Sequence, residues 1–242
     1  MPDNSASFVT KCPLRMALPI SDQQALLRTA SPPRHALKGE CLIAEGAELS
    51  SLLILCSGMA QKVRGFPDGI QQIVAVFVEG DTLNASEIVF PQSRNAIYAL
   101  TTATYLSISL GPLNDLIVER PAIARALWQE TAAHAAIQQE WMIWLGTRTA
   151  QVRLAHFLCE LSRRLQVAGR DPGGPIEFPL TQSDLADALG LSTVHVNRSL
   201  QALRSLGLID LARSELTILD KRGLYAIAEF DPRYLDGRKL VN

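Results

Sequence analysis

An asparagine and an arginine stand side by side in the segment 192–200, which reads Ser-Thr-Val-His-Val-Asn-Arg-Ser-Leu. An arginine can bind guanine O6 and N7 through two hydrogen bonds, and an asparagine can bind adenine N6 and N7 in the same way. Each such pair is worth roughly 1–3 kcal/mol of discrimination between bases. If a helix begins at Ser192, its outward positions in the first turns form a candidate base-reading set: Thr193, Val194, Asn197 and Arg198.

Five other polar side chains in the same part of the chain could bind the phosphates of a nucleic acid. Hydroxyl groups and exposed amides at helix N-termini bind phosphate oxygens, as do imidazole and guanidinium groups. The candidate phosphate contacts are Thr181, Ser183, Ser192, His195 and Arg213. Arg213 is weak evidence by itself, because an arginine at the tip of a hairpin is usually just solvated.

The residues 181–200 have the spacing of a helix-turn-helix, which would hold these side chains in place. Leu185, Leu189 and Val196 would fill the space between the two helices. Gly190 would supply the positive φ of the turn. Each helix also has a capping residue, Thr181 before the first and Ser192 before the second. The alternative is an ordinary helical hairpin with a solvated Asn-Arg face.

The surrounding pattern predicts a winged form of this motif. A helix is expected over 149–166, followed by a loop at 169–175 and a short strand at 176–180. The two helices of the motif are expected over 183–189 and 192–206. The apolar segments 206–211 and 215–219 then predict a hairpin with a turn at 212–214, which would be the wing beside a phosphate backbone.

A long helix is predicted upstream, over 122–145, with Pro121 in its first turn. Apolar residues recur along it at spacings of three, four and seven. We interpret this stripe as a dimer seam that includes Leu127, Ile137 and Trp141, and the alternative is a helix packed in the core of its own domain. Gly146 lies between two helical patterns, where it could act as a hinge or simply end a helix.

Residues 32–110 have a different sequence pattern. Short apolar runs between 32 and 110 are separated by glycines, which is typical of short strands and turns. The sequence thus predicts an α+β protein of three parts: a β-rich domain over 1–120, a dimerisation helix over 121–146 and a DNA-binding domain over 147–242.

Composition limits the classes of function. The 242 residues carry a net charge of -1, and residues 147–242 hold 13 Lys and Arg against 11 Asp and Glu, so DNA contact needs a local patch of positive charge.

No apolar run of 18 residues and no signal segment is present, which predicts a cytoplasmic protein without a membrane partner. The sequence also lacks GxSxG, GxxxxGK, HExxH and GxGxxG, so we do not expect an enzyme or a metal site.

The segment 189–204 resembles the recognition helix of the Crp/Fnr family of bacterial regulators. Turns typical of that family's β-roll also match, namely Lys38-Gly39-Glu40, Glu45-Gly46, Leu55-Cys56-Ser57-Gly58, Asp68-Gly69 and Glu79-Gly80-Asp81. The resemblance implies a cyclic-nucleotide-binding-like β-roll (a double-stranded β-helix), a long dimerisation helix and a winged helix-turn-helix. It further implies a homodimer on double-stranded DNA with a palindromic site, and contact with RNA polymerase. A signal in the β-roll would then shift the pivot between the domains and so change the DNA affinity.

The ligand-binding residues of that family are altered here. Members that bind cyclic nucleotides hold the ribose with a Gly-Glu pair and the phosphate with an Arg-Ser pair. Asn84 and Ala85 stand at the first place, and Arg94 and Asn95 stand near the second. These four residues are the candidate effector pocket, but a phosphate needs a fixed cation and aimed donors, so cyclic nucleotide binding is disfavoured.

The cysteines and histidines limit the other signals that the β-rich domain could sense. An iron-sulfur cluster is disfavoured because only Cys12 precedes Cys41. Haem stays open, since one of four residues could be an axial ligand: His35, Cys41, Cys56 or Met59. An unknown small-molecule effector, oxidation of a cysteine, and control by expression alone also stay open. The alternative function is a sensory or interaction protein whose winged helix does not bind DNA.

Overall fold

The computed structural model describes residues 18–167 and 174–239. Cys12 and most of the predicted loop at 169–175 lie outside these residues. The helices are α1 (Ile20–Thr29), α2 (Leu110–Glu119), α3 (Pro121–Thr147), α4 (Ala150–Val167), α5 (Gln182–Leu189), α6 (Thr193–Ser205) and α7 (Lys221–Ala228), with a final 3-10 helix at Pro232–Lys239. The strands are β1 (Arg34–Ala36), β2 (Cys41–Ile43), β3 (Ser51–Ser57), β4 (Ala60–Gly65), β5 (Gln71–Phe77), β6 (Ala96–Ala99), β7 (Ala103–Ser109), β8 (Ile176–Glu177), β9 (Ile209–Ala212) and β10 (Glu215–Ile218).

The first seven strands form two antiparallel sheets, which confirms the predicted β-roll and the α+β class. The strand orders are β1-β7-β3 and β2-β6-β4-β5. Both sheets contribute to one hydrophobic cluster, in which Leu55, Phe77 and Ile97 are buried. The β3-β4 turn depends on Gly58, whose φ is +84°, because a Cβ there would lie 2.5 Å from the Thr102 carbonyl oxygen.

The long helix α3 has Pro121 in its first turn, as predicted, but its apolar stripe packs inward. Leu127 is 8%, Ile137 6% and Trp141 7% exposed in the single chain. Leu127 packs with residues of β3, β7 and α2, whereas Ile137 and Trp141 join the core shared with α4. The predicted seam of Leu127, Ile137 and Trp141 is therefore corrected: these side chains already stabilise their own chain.

The break after the long helix falls later than the sequence pattern indicated. Gly146 lies inside α3, and the chain leaves the helix at Arg148, which has an extended backbone with φ -113° and ψ 152°. The Arg148 carbonyl accepts a hydrogen bond from Arg153 Nε at 2.9 Å. Gly146 does not interrupt the helix, and the change of direction between α3 and α4 is made at 148–149.

The C-terminal part is a winged helix, as predicted. Strands β8, β10 and β9 form an antiparallel sheet beside α4, α5 and α6. The wing turn consists of Arg213 and Ser214, which both have positive φ (52° and 61°), the pattern of a tight hairpin turn. Two elements of this part were not predicted: α7, which Asp220 caps by accepting from the Gly223 N–H, and the final 3-10 helix. The helices α1 and α2 of the N-terminal part were not predicted either.

The winged helix lies against the β-roll. One hydrophobic cluster contains Val76 of β5, Trp141 of α3 and Leu185 of α5. Gln72 of β5 donates to the carbonyls of Asp187 and Ala188 at the end of α5. The three-part division of the chain stays a prediction, because this cluster crosses its boundaries. In the described part, no helix has the length and apolar character needed to cross a membrane.

Candidate nucleic-acid interface

Capping hydrogen bonds and a turn glycine define the helix-turn-helix. Thr181 accepts a hydrogen bond from the Asp184 N–H, and the Asp184 carboxylate accepts from the Thr181 N–H, which makes a complete capping box. Gly190 ends α5 with φ +60°, the left-handed conformation expected of the turn glycine. Ser192 then caps α6 by accepting from the His195 N–H. These contacts fix where both helices begin and how they are joined.

The two faces of α6 divide as the sequence predicted. Val196 and Leu203 are fully buried, and Leu200 is 1% exposed, so this side packs against α4 and α5. The other side bears Thr193, Val194 and Arg198, which are exposed. Val194 is 56% exposed although it is apolar, and an exposed methyl group of this kind can contact the methyl of thymine.

Asn197 is partly buried and is held in place by a neighbour that sequence reasoning missed. Its Nδ2 donates to Gln182 Oε1 at 3.3 Å. Gln182 is exposed in the first turn of α5, so its amide stands beside the base-reading set. Gln201 was missed as well, although it is exposed three and four positions after Arg198 and Asn197 and therefore lies on the same face of α6. Helical spacing was the signal that could have found Gln201.

The candidate phosphate contacts surround this face. Ser183 is exposed in the first turn of α5, where backbone N–H groups point outward. Ser192 Oγ lies 3.1 Å from His195 Nδ1 at the start of α6. Arg213 is exposed at the wing tip. Thr181 is placed differently, because its hydroxyl is already bound to the Asp184 carboxylate at 2.7 Å, so its contribution is to cap α5.

The wing is anchored to the recognition helix. Arg204 in the last turn of α6 donates to the carbonyl of Leu211 in β9 at 2.5 Å. Phe178 donates its N–H to the Ser214 carbonyl at 2.8 Å, which ties the wing tip to the strand region before α5. Arg213 is thus carried by a turn that is bonded on both sides.

The candidate effector residues are not brought together around a cavity. Asn84 is buried, and its amide is used by β3: Oδ1 accepts from the Leu53 N–H and Nδ2 donates to the Ser51 carbonyl, both at 2.9 Å. Ala85 is 9% exposed and packs in the cluster under α2. Arg94 is exposed. The prediction is corrected for Asn84 and Ala85, which are buried in the β-roll, whereas Arg94 and Asn95 stay predicted effector residues.

An internal ion pair occupies the region around Asn95. Lys62 Nζ contacts Glu87 Oε1 at 2.9 Å, and both side chains are nearly buried. Glu87 also accepts from Ser93 at 2.9 Å and from Asn95 at 3.0 Å. Although burial opposes it, the Lys62 charge together with these hydrogen bonds lowers the pKa of Glu87. Lys62 is thus already paired inside the β-roll and is not free to bind a phosphate, which agrees with the altered cyclic-nucleotide motif.

The residues considered for haem and for oxidation lie apart. His35 Nδ1 is 3.1 Å from Thr104 Oγ1 on β7, and Cys41 is exposed on β2. Cys56 and Met59 are buried in different hydrophobic clusters. Burial raises the pKa of the Cys56 thiol to about 11 and also raises the pKa of Cys159. Burial raises the pKa of the Cys41 thiol as well, so its exposure alone makes Cys41 the most accessible of the described cysteines.

The fold and the exposed face of α6 together define a class. The fold consists of a β-roll, a long helix and a winged helix whose second helix carries polar, hydrogen-bonding side chains. These are the parts of a DNA-binding regulator that also has a domain of the ligand-binding type.

The comparisons with known proteins agree with this class. The family model described as "Crp-like helix-turn-helix domain" matches residues 152–227, and "Cyclic nucleotide-binding domain" matches residues 33–120. The chain is 27% identical to the transcriptional activator protein FnrA of Stutzerimonas stutzeri over 89% of this chain and 88% of that protein. It is 26% identical to the nitrogen fixation regulation protein FixK of Bradyrhizobium diazoefficiens over 80% and 81% of the two chains.

The solved structures show the same fold. FixK2 from Bradyrhizobium japonicum superimposes with a TM-score of 0.74 at 24% identity, over 82% of this chain and 96% of that one. The chain therefore belongs to the Crp/Fnr family and is a transcription regulator with a helix-turn-helix DNA-binding domain.

Proposed function

We propose that two copies of this chain bind one palindromic DNA site, each placing α6 in the major groove of a half-site. The observation that carries the proposal is the exposed polar face of α6, which stands between the capped start of α5 and the anchored wing. Side chains in the first turns of a recognition helix reach base edges, while the flanking groups bind phosphates. Thr193, Val194, Asn197 and Arg198 are the base-reading residues, and Ser183, Ser192, His195 and Arg213 bind the backbone.

The second copy packs on the outer face of α3. Five exposed positions there follow the alternating spacing of four and three that defines a coiled-coil seam: Trp128, Ala132, Ala135, Gln139 and Met142. Trp128 is 76% and Met142 68% exposed in the single chain. The small alanines between two large apolar side chains let two helices approach closely. Two-fold pairing of this stripe would place the two α6 helices so that each faces one half-site of a palindrome.

The β-roll controls DNA binding through its contact with the winged helix. Arg164 of α4 binds Asp81 Oδ2 and the Val76 carbonyl, each at 2.7 Å, and Gln72 binds the end of α5. A signal that changes these contacts shifts the population of arrangements of the two α6 helices, because only some arrangements match both half-sites. The protein acts beside the chromosome in the cytoplasm, with RNA polymerase as its partner at promoters.

The Arg198→Ala substitution tests the recognition helix. We expect the affinity for the specific site to fall by ~1–3 kcal/mol, about 5- to 150-fold, because the guanidinium loses its contact with a base edge. Fluorescence anisotropy with labelled duplex measures the loss. The matched control is Arg222→Ala, which removes an exposed cation from α7.

Unchanged binding by Arg198→Ala would remove α6 from the DNA interface. It would favour the alternative, an interaction protein whose winged helix contacts other proteins. An equal loss in both variants would instead indicate an effect of net charge alone.

A further inference from the structure

A histidine and two carboxylates converge where the β-roll meets the long helix. Asp81 lies in the turn after β5 and is fully buried, while Glu130 and His134 are one turn apart on α3. One ligand atom from each of the three lies within 4.8 Å of the others. His134 Nε2 is 3.5 Å from Glu130 Oε1 and 3.9 Å from Asp81 Oδ1.

Besides Arg164 Nε, two polar atoms at this junction have no hydrogen bond with any described residue. One is His134 Nε2, which is buried and faces both carboxylates. The other is the hydroxyl of Thr82, a residue that is fully buried and whose N–H donates to Glu130 Oε1 at 3.3 Å. Buried polar atoms in folded proteins are almost always paired, so the His134 nitrogen, which faces both carboxylates, is a candidate donor for a bound ion.

We propose that Asp81, Glu130 and His134 bind a divalent transition-metal ion. Imidazole nitrogen and carboxylate oxygen bind Zn²⁺ at about 2.0–2.2 Å, so two ligands of one ion lie about 3–4 Å apart. His134 Nε2 lies at such distances from both carboxylates, 3.5 Å and 3.9 Å. The same donors also suit Fe²⁺ and Mn²⁺. Three protein ligands leave a further coordination position for water.

The surroundings orient the ligands. The Val78 N–H at 2.8 Å and Arg164 at 2.7 Å both donate to Asp81 Oδ2, and this fixes the carboxylate with Oδ1 toward His134. The Phe77 ring packs against the imidazole at a centroid distance of 5.5 Å.

The proposed ion would join the β-roll to α3, and through Asp81 it would be linked to α4. Asp81 belongs to the β-roll and the other two ligands belong to α3, while Arg164, on the second oxygen of Asp81, comes from the DNA-binding side. A narrow cavity of about 20 Å³, lined by His134 and Arg164, adjoins the site and is large enough for one water molecule. The site thus makes a transition metal a candidate signal for the regulator.

Equilibrium dialysis of the full-length, chelator-treated protein against Zn²⁺ tests the site. We expect one ion per chain in the wild type and an affinity at least about tenfold lower in both His134→Gln and Glu130→Gln, because each loses one ligand. His35→Gln removes a histidine from β1, and this control should bind as the wild type does.

A measurement on the wild-type protein tests the site independently of whether the variants fold. Mn²⁺ should broaden the NMR signals of the Thr82 and His134 amides before those of α6. The proposal is overturned if Zn²⁺ does not bind below about 100 µM. Binding that both ligand variants retain, or broadening centred elsewhere, would also overturn it. None of these results depends on DNA binding, so failure here leaves the proposed function standing.

Discussion

At the scale of single residues, His156 on α4 is enclosed by aromatic rings. Its ring centroid lies 3.4 Å from that of Trp144 and 4.8 Å from that of Phe230. Burial lowers the pKa of His156 to about 4, and the charge of Arg148 acts in the same direction, while the hydrogen bond to the Ala228 carbonyl opposes it. The folded protein therefore holds this imidazole neutral at pH 7.

A neutral buried histidine makes stability fall in mild acid. The unfolded chain has an ordinary histidine pKa of about 6.5, so it binds more protons than the folded chain between about pH 4 and 6.5. Lowering the pH from 7 to 5 should cost about 2 kcal/mol of unfolding free energy through His156. Urea unfolding of His156→Gln should show a pH dependence smaller by this amount than that of the wild type. A His156→Gln variant with the wild-type pH dependence would contradict the assignment.

The buried polar chain next to His156 links the parts of the molecule. Trp141 Nε1 donates to Glu160 Oε2 at 2.9 Å, and Tyr234 donates to the same oxygen at 3.2 Å. Burial raises the pKa of Glu160 although Arg164 and these two donors favour its charged form. Arg164 continues the chain to Asp81 of the β-roll. The polar groups thus connect the final 3-10 helix, α3, α4 and the β-roll.

At the scale of elements, α3 carries apolar side chains on two faces. One face packs in its own chain, and the other bears the exposed stripe from Trp128 to Met142. Trp128→Glu should weaken the dimer at least about 100-fold, because a charge is buried at the seam. It should leave the fold of each chain intact. Sedimentation velocity over a concentration series measures the change.

The control for this variant is Val118→Glu, which changes an 82% exposed apolar residue of α2 outside the stripe. It should leave the dimer unchanged. If Trp128→Glu remained dimeric at the wild-type concentrations, the seam would lie on another surface.

The sequence predicted the elements whose signals are local and missed those that depend on packing. The caps at Thr181 and Ser192 and the turn at Gly190 are encoded within a few residues, so the helix-turn-helix was placed to within one or two positions. The predicted seam residues Leu127, Ile137 and Trp141 pack in their own chain, because periodicity finds an apolar stripe but cannot tell which of two stripes meets the same chain. Asn84 was misread for a similar reason, since its role depends on β3, which is 31 positions away.

At the scale of the whole molecule, the winged helix and the β-roll share a core. Val76, Trp141 and Leu185 belong to one cluster, and Gln72 bonds to the end of α5. Even so, the side of α6 that bears Thr193, Val194 and Arg198 stays exposed in this arrangement. Under the proposed control by the β-roll, a signal would need only to change the position of α6 and not to uncover it.

Selection of binding sites from a random duplex library tests the central claim most directly. The wild-type protein should enrich an inverted repeat whose half-site centres are about 10–10.5 base pairs apart or a multiple of this, since a two-fold dimer presents α6 to one face of DNA. The Arg198→Ala variant should lose preference at one symmetric pair of positions. A wild-type selection without an enriched sequence, or with a single asymmetric half-site, would contradict sequence-specific binding by a two-fold dimer.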